Sequence, residues 1–84
     1  MKKNIRVLIV CENKKQTEKL YEAMEKNSNG AYVDTCYYHE TEKAVMIETA
    51  SDDENFLAVA VAATNKVAKD NGVTIKNFIF ESGW

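Results

Sequence analysis

Apolar residues run almost without a break from Ile5 to Cys11 (IRVLIVC), interrupted only by Arg6. A short β-branched run of this kind predicts a central strand covered on both faces. The period then changes. Thr17, Leu20, Tyr21 and Met24 recur at helical spacing among lysines and glutamates, which predicts an amphipathic helix from about Lys14 to Asn27. Asn13 is placed to cap it, and Gln16 three positions later completes a capping-box-like pair. Asn27-Ser28-Asn29-Gly30 supplies a stop.

Two further strands follow, AYVDTCYYH and AVMIET, joined by a short turn at ETEK. Ser51-Asp52-Asp53-Glu54 matches a second capping box, with acids where a helix N-terminus favours them. The helix it opens, about Asp52 to Asn71, carries Phe56, Val59, Ala60, Ala63 and Val67 on one stripe, with Leu57, Val61 and Ala68 beside it. It reads as the better buried of the two helices. Asn71-Gly72 ends it, and VTIKNFIF supplies the last strand.

The order β-α-β-β-α-β predicts an α+β, ferredoxin-like sandwich over a single domain, residues 1–84. Its expected sheet is antiparallel in spatial order 4-1-3-2, with both helices on one face and the other face open. Because strand side chains alternate between faces, polar positions set the phase of each strand. Arg6 and Glu12 send Leu8 and Val10 to the open face and Ile5, Val7, Ile9 and Cys11 toward the helices. Glu42 and Glu48 place Ala44 and Met46 outside. Asp34 does the same for Tyr32, Cys36 and Tyr38, and Lys76 for Phe78 and Phe80. Asn77 is then left pointing at the core, an inconsistency in the last strand.

Composition narrows the function classes. With 84 residues, 45% of them hydrophobic and 29% charged, the chain is an ordinary small globular domain. Its net charge of −2 is interleaved and offers no basic field to gather phosphates. The apolar run after Lys2 and Lys3 is too short for a signal peptide and no stretch is long enough for a membrane span, so a cytoplasmic protein is expected.

Candidate chemistry is sparse. Cys11 and Cys36 lack metal-type spacing and read as reduced thiols. His39, beside Glu40 and Glu42, is the sole histidine and has no placed partner. Asp52, Asp53 and Glu54 have no EF-hand spacing, and Gly30, Gly72 and Gly83 form no phosphate loop. Neither a metal nor a cofactor is expected. VLIVCEN resembles the opening of a response-regulator receiver domain, but Cys11 stands where an aspartate belongs and 84 residues are too few for five βα units. The RNA-recognition pattern of aromatics on the central strands is likewise missing.

The expectation is therefore a non-enzymatic protein-interaction module, a regulatory subunit, adaptor or small inhibitor, that uses its apolar open face or its edge strands to bind a partner or a second copy as a homodimer. The surface expected to do so comprises Arg6, Leu8, Val10, Tyr32, Tyr38, Met46, Phe78 and Phe80. An alternative is a dimeric ligand-binding protein or small enzyme with a pocket between two sheets, using Arg6, His39 and Tyr38. Binding of single-stranded nucleic acid is a third, less favoured reading.

Overall fold

The computed structural model describes residues 3–26, 32–40, 42–51 and 55–82. They form β1 (Lys3–Cys11), α1 (Lys14–Lys26), β2 (Tyr32–Tyr37), β3 (Lys43–Ser51), α2 (Phe56–Asp70) and β4 (Ile75–Ser82). The strands make one antiparallel sheet in the order β2-β3-β1-β4. This is the expected 4-1-3-2 order of a ferredoxin-like sandwich, read from the other edge. The stop at Asn27–Gly30, Thr41 of the hairpin turn and the acids Asp52–Glu54 lie outside the described residues; Ser51, expected to cap α2, ends β3 instead, and α2 opens at Phe56 behind Asn55.

β1 is central because both its faces are apolar. Val7, Ile9 and Cys11 pack toward the helices with Leu20 and Met24 of α1, Val45 and Ile47 of β3, and Ala68 of α2. Ile9, Leu20 and Val45 are completely buried. On the opposite face Leu8, Val10 and Ala44 form a second, smaller cluster, flanked by Cys36, Tyr38, Met46 and Ile79. The phasing of β1, β2 and β3 read from the sequence therefore holds.

Local chemistry fixes the helix ends. Asn13 Oδ1 accepts the Gln16 backbone N–H at 2.9 Å, so the expected cap of α1 is formed. The Gln16 side chain turns elsewhere, accepting the Thr74 backbone N–H at 2.8 Å. At the end of α2, Gly72 N–H donates to the Lys69 carbonyl at 3.2 Å and Val73 N–H to the Ala68 carbonyl at 2.8 Å. This is a Schellman motif, and Gly72 supplies its left-handed residue with φ 68°. The buried Val73 side chain then anchors the turn to the core.

Two expectations are corrected. Phe78 and Phe80 do not lie on the open face, because Phe78 pairs with Ile9 and Phe80 with Val7, both helix-facing. The cause is a β-bulge: Val10 pairs with Asn77 but Cys11 pairs with Ile75, which leaves Lys76 as an extra residue in β4. A bulge resets alternation, so a phase counted forward from Lys76 is wrong for everything after it. Asn77, Ile79 and Glu81 take the open face instead, and the inconsistency at Asn77 disappears.

The second correction concerns α2. Thr64 and Ala68 are its buried residues among the described side chains, with Ala60, Val61 and Val67 half-buried. Val59 is 62% exposed, and Ala63 is exposed with it. The side chains of Phe56 and Leu57 lie outside the described set. On the described side chains α2 is the less buried helix, turned so that part of the expected stripe faces outward. Its N-terminal half is apolar on nearly every side, so periodicity there fixes no face. The charged end does. Lys66, Lys69 and Asp70 must face water, and stepping back one and two turns from them lands on Ala62, Ala63 and Val59.

Candidate interaction surface

The open face divides into a charged row and an apolar field. Across the row, Arg6 on β1 lies opposite Glu48 on β3 and Glu81 on β4, while Tyr32 on β2 lies opposite Glu48. Arg6 Nη2 and Nε approach Glu48 Oε1 at 2.6 and 2.8 Å, and Nη1 stands 3.8 Å from Glu81 Oε2. These cross-strand pairs engage the guanidinium within its own sheet. Tyr32 Oη donates to Asp34 Oδ2 at 2.9 Å, and the Thr35 backbone N–H donates to Oδ1 at 2.7 Å. The two bonds, the backbone one foremost, hold the Asp34 carboxyl below its ordinary range, and the same carboxylate raises the Tyr32 phenol.

In the apolar field Leu8 and Val10 are only 5% and 7% exposed, because Met46, Ile79, Tyr38 and Cys36 close around them. The centre of the face is thus already dry. Tyr38 Oη donates to Glu42 across the hairpin turn, which raises the phenol's pKa and folds the ring over this end of the sheet. His39 stands edge-on to the Tyr38 ring, with centroids 5.5 Å apart at 81°, and is exposed.

The structure therefore brings together Arg6, Leu8, Val10, Tyr32, Tyr38 and Met46 on one face and sends Phe78 and Phe80 to the other. On that other side the two phenyl rings stack nearly parallel, 7° between planes and 6.3 Å between centroids. Phe80 remains 48% exposed at the sheet edge. Between this edge and α2 runs an open groove of about 440 Å³, lined by Val61 and Asn65 of α2 and by Ile75, Lys76, Asn77, Phe78 and Phe80 of β4. Val59 is exposed on the outward side of the same helix, away from the groove. Sequence reasoning missed the exposure of Val59 and the groove that Val61 and Ile75 help to line. The signal for α2 was the charge pattern at its C-terminal end; the bulge at Lys76 has no sequence signature.

At the other end of β1, a cavity of about 120 Å³ lies among Glu12, Asn13, Lys14, Tyr38, Lys43 and Lys76. That is well below the roughly 300–1,000 Å³ of small-molecule sites. Burial raises the Cys11 thiol, partly offset by a hydrogen bond with Thr17, and burial likewise raises Cys36. Both thiols are thereby kept protonated and weakly nucleophilic. Among the described residues no group of three or more His, Cys, Asp or Glu gathers as a metal site, and no helix is long and apolar enough to cross a membrane. No protein-family model matches the sequence, and no curated protein matches it.

Proposed function

We propose that this protein is a non-enzymatic interaction module whose contact surface follows the margin between α2 and β4. The supporting observation is the half-exposed Phe80 side chain beside the groove that Val61, Ile75 and Phe78 line together with Asn65, Lys76 and Asn77. Apolar side chains around a concavity gain from exclusion of water when a partner's side chains fill it, and completing the burial of Phe80 alone is worth roughly 1 kcal/mol. An aromatic at the centre of such a patch is the usual anchor of a protein interface. The open face contributes a polar flank through Glu81 on β4 and Arg6 opposite it on β1.

The reading is tested by capturing partners from the native host, identifying them by mass spectrometry, and titrating the purified partner into isotope-labelled protein. Amide shifts confined to α2 and β4 are expected, and Phe80→Glu is expected to weaken binding about tenfold or more. Shifts clustered around Glu12, Lys14 and Lys43, or binding indifferent to Phe80→Glu in a folded variant, would overturn it. An affinity that falls steeply with salt for single-stranded nucleic acid would replace it with the nucleic-acid reading.

A further inference from the structure

We infer that the partner at β4 is a second copy of this chain, its β4 joined antiparallel about a twofold axis that passes between the two Ile79 residues, perpendicular to the sheet. This rests on the interaction-module reading and names its partner.

β4 is an edge strand, and its backbone shows which groups are available. The Phe78 N–H donates to its neighbour's side chain, Asn77 Oδ1, at 2.9 Å, so this amide points away from β1. In an antiparallel ladder the inward and outward residues alternate, so Phe80 also turns its N–H and C=O outward while Ile79 bonds inward to Leu8. A strand added at this edge must therefore pair through Phe78 and Phe80. With the twofold at Ile79, Phe78 lies opposite the partner's Phe80, and each exchanges both of its backbone bonds with the other.

Side chains select this register. On the helix side it brings two stacked phenylalanine pairs edge to edge, beside the two grooves that flank α2, which cross-strand aromatic pairs then fill. On the open face it sets Ile79 against the partner's Ile79 and Glu81 against the partner's Asn77, whose side chain leaves the Phe78 amide for the carboxylate. Lys76, at the other end of the strand, comes beside the partner's Glu81, so opposite charges meet. The two Glu81 carboxylates stay apart, four residues or about 14 Å along the strands. Shifting by two residues one way sets Ile79 against the partner's Glu81. The opposite shift sets Ile79 against the partner's Asn77 and drives the bulge at Lys76 against the partner's Phe80. A shift of one residue puts unlike faces together.

The test uses the whole chain with Cys36→Ser as background, comparing Ile79→Cys with Glu81→Cys under mild oxidation. In the inferred register the two Ile79 positions form a non-hydrogen-bonded pair with Cα atoms about 4.5 Å apart, within disulfide reach. Ile79→Cys is expected to give covalent dimer roughly tenfold or more faster than Glu81→Cys. Hydrogen exchange on the unaltered chain provides the second measurement, independent of any folding defect. The amides of Phe78 and Phe80 are expected to slow as protein concentration rises, while those of β2 do not change. Equal cross-linking of the two variants, or protection appearing at β2 instead, would overturn the pairing. So would a monomeric mass at every concentration; if another protein still binds at Phe80, the interaction-module reading stands without this partner, and if none binds, both fall.

Discussion

The side-chain carbonyl of Gln16 accepts the backbone N–H of Thr74 at 2.8 Å across 58 positions of sequence. The first turn of α1 is thereby tied to the residue that leads into β4, and Thr74 returns its own carbonyl to the Glu12 N–H at 3.1 Å. Gln16→Ala deletes the acceptor and is expected to cost about 1 kcal/mol in urea unfolding. Gln16→Glu keeps an oxygen in place and is expected to stay close to the parent. If the two variants lose stability equally, the contact does not hold β4.

Deletion of Lys76 is expected to be tolerated. Removing the extra residue leaves Ile75 and Asn77 alternating in a regular ladder opposite Cys11 and Val10, so Phe78 and Phe80 keep their faces. Deletion of Ile79 instead throws Phe80 onto the open face and should abolish cooperative unfolding. Thermal melts followed by circular dichroism separate the two outcomes.

Gly72→Ala isolates a backbone effect. A Cβ built at Gly72 meets nothing within 4 Å, so the substitution adds no clash and leaves only the penalty of a left-handed φ of 68°. A loss of about 1–2 kcal/mol is expected, and Gly72→Asn should recover much of it because asparagine tolerates that region. Denaturant midpoints measure both.

The acid limb of the stability curve should carry the mark of Asp34. Its carboxyl titrates below its ordinary value in the folded protein, held there by the Thr35 amide and the Tyr32 hydroxyl. The folded state therefore gains stability that is present above the unfolded pKa, near 3.9, and lost as pH falls through the lower folded value. Between pH 7 and pH 2, Asp34→Asn is expected to lose less stability than the parent. Tyr32→Phe should lie between the two, since it removes one of the two donors.

The architecture was legible because its signals were redundant. The run at Ile5–Cys11, the cap at Asn13 and the stop at Asn71-Gly72 each point to an element and its limit, and the hairpin excludes a parallel sheet. The faces of β1, β2 and β3 were legible for the same reason, each strand carrying polar markers in phase with its apolar residues. β4 was not, since one bulged residue carries no compositional mark yet reverses all that follows. On α2, alanine and valine on all sides erased the amphipathic contrast, leaving only Lys66, Lys69 and Asp70 to show which way it faces. The candidate surface shifted from the open face to the α2–β4 margin because the bulge carries Phe78 and Phe80 to the helix side.

The central place of β1 has a kinetic side. Its neighbour β3 lies at moderate distance in the chain, whereas β4 lies at the far end, so the two flanks of β1 are closed by loops of very different length. Long loops cost more entropy before any pairing repays it, and such contacts slow folding. On a ribosome, β1, α1, β2 and β3 emerge and can associate while the side of β1 that belongs to β4 still faces water. The strand richest in aliphatic residues thus waits longest for its last neighbour, and refolding should show a late step reported by Phe78 and Phe80 closing over Ile9 and Val7.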